Sequence, residues 1–131
     1  MAVITHVKLE NNIHELVFSE SSRRAIDQFL DILVGFYHDA DANGIYVVLD
    51  MRQSGMLPLR YLTKNLRRVI EAYSGEQPAH IALVLNDPQL LNVARALLHT
   101  IMRRETVHYF TEVGKARLWL RIMQDNVAGA R

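Results

Sequence analysis

Along this chain the spacing of hydrophobic residues switches between two periods, and each switch marks an element. Val3, Thr5, Val7 and Leu9 alternate with Ile4, His6 and Lys8, the period-two signature of a half-buried strand. Glu10, Asn11 and Asn12 break it as a turn, because asparagine tolerates left-handed backbone angles. Residues 13–18 resume as a strand, so the two predict a hairpin. Ser19, Glu20, Ser21 and Ser22 supply helix N-cap candidates. From there Ile26, Phe29, Leu30, Leu33, Val34 and Tyr37 recur at helical spacing, widened by Ile32 and Phe36 into a helix covered on more than one side. Residues 39–44 end in Asn43-Gly44, a natural C-terminal stop.

The run Ile45-Tyr46-Val47-Val48-Leu49 is apolar at every position and ends at Asp50. Such a run suits a strand covered on both faces, as parallel strands of α/β proteins are. A short polar loop with Ser54-Gly55 leads to Pro58, which suits a first helical turn because its missing N–H costs no bond there. Leu59, Leu62, Leu66, Val69, Ile70 and Tyr73 then face inward on a second helix, closed by residues 74–78. Residues 79–85 read as a strand, and Asp87-Pro88 as a helix N-cap followed by its first residue. The third helix carries Leu90, Val93, Ala94, Leu97, Leu98, Ile101 and Met102 inward. Residues 105–110 predict a last strand, and Thr111 or Glu112 opens a last helix with Val113, Ala116, Trp119, Leu120 and Met123 buried. Strands alternating with helices imply an α/β fold: about five mixed, mostly parallel strands, about four helices and an N-terminal hairpin. The expectation is one domain over residues 1–125 and a flexible tail at 126–131.

Composition narrows the function classes. Half of the 131 residues are hydrophobic and 22% are charged, ordinary for a globular protein with a proper core. A formal net charge of +1 argues against global attraction to nucleic acid. The absence of cysteine excludes disulfides, a thiol nucleophile and thiolate zinc sites. No uncharged apolar run approaches the ~20 residues that span a bilayer, and no secretory signal is visible, so a cytoplasmic location is expected. The histidines at 6, 14, 38, 80, 99 and 108 lack local ligand spacing, so neither metal nor cofactor is expected. With no glycine-rich phosphate loop and no nucleophile elbow, the chain reads as non-enzymatic.

The element order resembles the STAS superfamily, closest to its SpoIIAA-like branch of small bacterial proteins. The hairpin, Leu49-Asp50-Met51, Ser54-Gly55-Met56 before a helix, and Val107-His108-Tyr109-Phe110 followed by Ala116 and Trp119-Leu120 carry the resemblance over nearly the whole chain. In anti-sigma-factor antagonists of that superfamily, a serine in the loop before the second helix is phosphorylated by a partner kinase. The resemblance therefore implies Ser54 as the phosphoacceptor, and a kinase or anti-sigma-like factor as partner. The family's Asp and first Ser are replaced here by Arg52 and Gln53. SpoIIAA-like relatives are also grouped with lipid-carrying CRAL-TRIO-type domains, which implies a second role.

Two functions follow. The first is a regulatory, protein-interaction module that uses the loop (Asp50, Arg52, Gln53, Ser54) and the basic face Arg60, Lys64, Arg67 and Arg68 of the second helix. A phosphate on Ser54 would add roughly −1.5 to −2 charges beside Arg52 and a helix N-terminus. Read blandly, Ser54-Gly55 only makes a turn, Asp50 caps a loop and the basic face is solvated. The second function is a carrier of a small apolar or lipidic ligand, held where the stripes of the first and third helices line a pocket. A second copy of the chain is a further candidate partner.

Overall fold

The computed structural model describes residues 3–39, 44–55, 57–73, 79–99 and 106–129. Its strands are β1 (Ile4–Lys8), β2 (Ile13–Phe18), β3 (Ile45–Asp50), β4 (Ala79–Val84) and β5 (Thr106–Phe110). Its helices are α1 (Arg23–Asp39), α2 (Leu59–Tyr73), α3 (Pro88–Leu98) and α4 (Val113–Gly129). The sheet runs in chain order, β1-β2-β3-β4-β5, with β1 and β2 antiparallel and the remaining neighbours parallel. The α/β architecture and the hairpin are thus as the sequence predicts. Asn11 (φ 63°) and Asn12 (φ 60°) take the left-handed backbone that the tight turn requires.

Strand order sets the layers. Each crossover from β2 to β5 steps in one direction, and right-handed crossovers then put α1, α2 and α3 on one face. Against that face lie Leu16, Phe18, Val47, Leu49, Ile81 and Leu83, sealed by Phe29, Leu33, Leu62, Leu66, Leu91 and Leu98. The opposite face has α4, which packs Ala116 and Leu120 on Tyr46, Val48, Ala82 and Val84. Being central and covered twice, β3 and β4 are buried at every residue. That explains the unbroken apolar run at 45–49.

Local signals act where expected. The Ser22 hydroxyl accepts from Ala25 N–H at 3.1 Å, Asp87 accepts from Gln89 N–H at 2.9 Å, and the Pro58 carbonyl takes the first α2 bond from Leu62 N–H at 3.0 Å. One expectation is corrected. Val93, read as core, is exposed on α3, because three helices share one sheet face and each buries only a narrow stripe. Helix α4 continues past Asn126 to Gly129. Residues 40–43 and 74–78, together with Met56, Ile101, Met102 and Glu105, lie outside the described residues, as does the Leu97 side chain.

Candidate functional site

The site begins at the carboxyl end of β3. Met51, 1% exposed, donates its N–H to the Val84 carbonyl at 2.9 Å and extends the pairing with β4 by one residue. Leu57 is equally buried. Between these two apolar anchors the chain must leave the sheet and return within a few residues, so the polar ones face solvent. Gly55 makes the return possible: its φ of 73° suits a residue without a side chain, and its N–H closes a turn on the Met51 carbonyl at 2.9 Å.

Asp50 is buried rather than solvated, and it caps the loop by accepting the Arg52 backbone N–H. Register places it beside Val17 of β2 and Val84 of β4, on the α4 side of the sheet. Its carboxylate accepts from Arg52 Nε at 2.9 Å, Nη2 at 2.8 Å and backbone N–H at 3.1 Å. Burial alone would raise the Asp50 pKa. The Arg52 hydrogen bonds, with the charges of Arg52 and Arg117, outweigh it and hold the carboxyl below its ordinary value. The same bonds push the Arg52 guanidinium up. Arg52 therefore braces the turn and is not a free cation awaiting an anion.

A second bidentate pair lies one diagonal step away in the sheet. Glu15, opposite Val48, accepts from Arg117 Nε at 2.8 Å and Nη2 at 2.9 Å. Bonding to Glu15 likewise raises the Arg117 pKa. The carboxylates are buried while the guanidinium groups reach the rim, so the charges compensate inside and only the arginines meet water. Glu15 and Arg117 have no signal in the sequence. They stand 102 positions apart, and only the packing of α4 across the sheet joins them.

The remaining candidates are solvent-facing. Gln53 is exposed, and Ser54 is half-buried with its hydroxyl donating to the Gly55 carbonyl at 2.9 Å. Arg60, Lys64, Arg67 and Arg68 are all exposed along α2, the middle helix of its layer, on a segment that starts just after the turn. Tyr61, on the flank of that face, donates to Asp27 at 2.6 Å and lies under the Arg23 guanidinium, 5.0 Å from its ring centre. These contacts tie α2 to α1 and leave the four cations outside them.

The gap among Phe29, Leu49, Leu62, Leu66, Ile81, Leu83, Leu98 and Val107 measures about 10 Å³, room for one water at most. Among the described residues no three His, Asp or Glu gather as a metal site, and no helix is long and apolar enough to cross a membrane. Comparison of the chain with protein-family models, with curated proteins and with solved structures returns no match.

Proposed function

We propose that this chain is a non-enzymatic, STAS-type interaction module that docks an acidic protein surface through residues 52–55 and the cationic row of α2. The observation that carries the reading is the row itself. Arg60, Lys64, Arg67 and Arg68 all stand exposed on the middle helix, directly after a turn braced from within by Asp50 and Arg52. A braced turn loses little conformational freedom on docking. A row of like charges speeds encounter with an oppositely charged face and rejects others.

Regulation at Ser54 has a specific demand in this geometry. A kinase must draw the hydroxyl away from the Gly55 carbonyl. The phosphate, carrying about −1.5 to −2 charges, would then meet the start of α2 rather than Arg52, whose fork already holds Asp50. The carrier reading draws no support from the sheet–helix gap described above.

The test is affinity purification of the protein from its own host, followed by cross-linking mass spectrometry. The comparison variants are Arg67→Glu/Arg68→Glu, Ser54→Ala and Ser54→Glu. The parent is expected to retain a protein that cross-links at Lys64, and the charge-reversed variant to lose it. If the charge-reversed variant keeps the same partner, the docking face is refuted. If the two Ser54 variants behave alike, the switch is removed and docking alone stands.

A further inference from the structure

Strand β5 ends the sheet on one side, and among the described residues no strand pairs with its far edge. One hydrogen bond fixes which main-chain groups that edge presents. The Phe110 carbonyl accepts from Leu85 N–H at 3.0 Å, so Phe110, and with it His108, turns its N–H and C=O toward β4. Val107 and Tyr109 alternate with them and turn theirs outward. The strand Thr106–Phe110 holds no Asp, Glu, Lys, Arg, proline or glycine that would blunt this row, whereas β1 at the opposite edge carries Lys8.

We infer that β5 pairs antiparallel with β5 of a second copy of this chain, about a twofold axis at His108, so that two sheets join edge to edge. The choice of a second copy rests on the symmetry of the strand itself. With the axis at His108, Val107 lies opposite the partner's Tyr109, and Tyr109 opposite the partner's Val107. The outward N–H and C=O of both residues then all find hydrogen-bond partners. An axis at Val107 or at Tyr109 would pair just one of the two within the strand. The chosen register also sets a β-branched side chain against an aromatic one at each pair, a favourable cross-strand combination.

Both faces of the edge carry side chains of the kinds that anchor protein interfaces. Tyr109 packs on the side of α1, α2 and α3, with the Arg95 guanidinium 5.1 Å from its ring centre. On the α4 side the exposed His108 stacks on Trp119 at 4.3 Å, and Ile122, 47% exposed, follows Trp119 one turn along the helix. At the axis His108 meets the partner's His108 as the narrow, non-hydrogen-bonded kind of pair, with Cα atoms about 4.5 Å apart. Partial burial, then the charge of Arg95, lowers the His108 pKa, so the facing rings are uncharged at neutral pH. The cationic row of α2 takes no part in this contact, which therefore stands or falls apart from the docking face.

Sedimentation velocity of the full chain tests the pairing, with the parent expected to be a dimer at about 200 μM. His108→Lys sets two like charges face to face at the axis and should weaken the dimer by at least about tenfold. Val7→Lys, at an exposed position of β1 on the opposite edge, should change nothing. Because His108 is exposed, its replacement leaves the core intact, which circular dichroism checks. The chain has no cysteine, so His108→Cys gives each copy a single thiol, and the narrow pair brings the two within disulfide reach. Under mild oxidation that variant should form a covalent dimer and Val7→Cys should not. A parent that is monomeric at about 200 μM overturns the inference, whatever else binds the edge. So does a dimer that His108→Lys leaves unchanged, or cross-linking of Val7→Cys as complete as that of His108→Cys.

Discussion

Removing the Arg117 guanidinium should destabilise this protein far more than an ordinary surface arginine, and removing Glu15 with it should restore most of the loss. Glu15 is 9% exposed at its side chain and Arg117 42%, so the carboxylate belongs to the interior and its partner to the rim. Arg117→Met keeps the aliphatic packing but leaves a carboxylate that has lost both guanidinium bonds. Breaking a fully buried pair costs about 3–5 kcal/mol, and a single hydrogen bond to a charged group contributes about 1.5–3. Because the cation sits at the rim, water reaches Glu15 once it is gone, and the expected cost is about 2–3 kcal/mol. With an unfolding entropy of about 2.1 cal/mol/K per residue over the 131-residue chain, that cost lowers Tm by about 7–11 °C. Glu15→Leu combined with Arg117→Met removes both charges and should return to within about 1 kcal/mol of the parent, since apolar replacements of buried pairs are often neutral. Urea and thermal unfolding of the four proteins in this cycle measure the coupling. A single-variant Tm drop under about 2 °C, or a double variant that loses the sum of both singles, refutes the view that this pair fastens α4 to the sheet.

The Asp50 carboxyl, held below its ordinary pKa, stabilises the fold fully above its unfolded value of about 3.9, and this contribution is lost as pH falls through the folded value. Asp50→Asn should therefore be weaker than the parent at pH 7 and approach it in acid; a gap that stays constant down to pH ~2 contradicts the pairing. Two glycines should respond oppositely to alanine. Gly35, inside α1 with open space where a Cβ would sit, gains about 0.5–1 kcal/mol, whereas Gly55, at φ 73°, loses about 1–2 kcal/mol, both read by urea denaturation. Phe29→Ala enlarges the small gap under α2 and should cost about 3–5 kcal/mol; a loss below about 1 kcal/mol would mean that the gap collapses freely.

Much of the fold was legible because its signals are local. Asp87-Pro88 starts a helix through one carboxylate bond and one absent N–H, Asn11 and Asn12 turn the hairpin by their own backbone tolerance, and the apolar run at 45–49 declares a strand with two covered faces. The candidate site was legible only in part. The turn and the basic row of α2 follow from contiguous residues, and both face solvent as the pattern implies. The loop cap at Asp50 was readable, but its burial and its pairing with the Arg52 side chain were not, because the same acid caps a solvated or a buried loop depending on which face of the sheet α4 occupies.

Taken alone, the chain determined the order of elements, their caps and which residues prefer the interior, since these depend on neighbours a few positions apart. Tertiary structure decided the strand order, the placement of three helices on one face and α4 on the other, and thereby every pairing across long separations. Glu15 meets Arg117, and Val93 is left outside, for one reason: the distance between two side chains is set by the packing of whole elements. His6 meets His14 through the hairpin register in the same way.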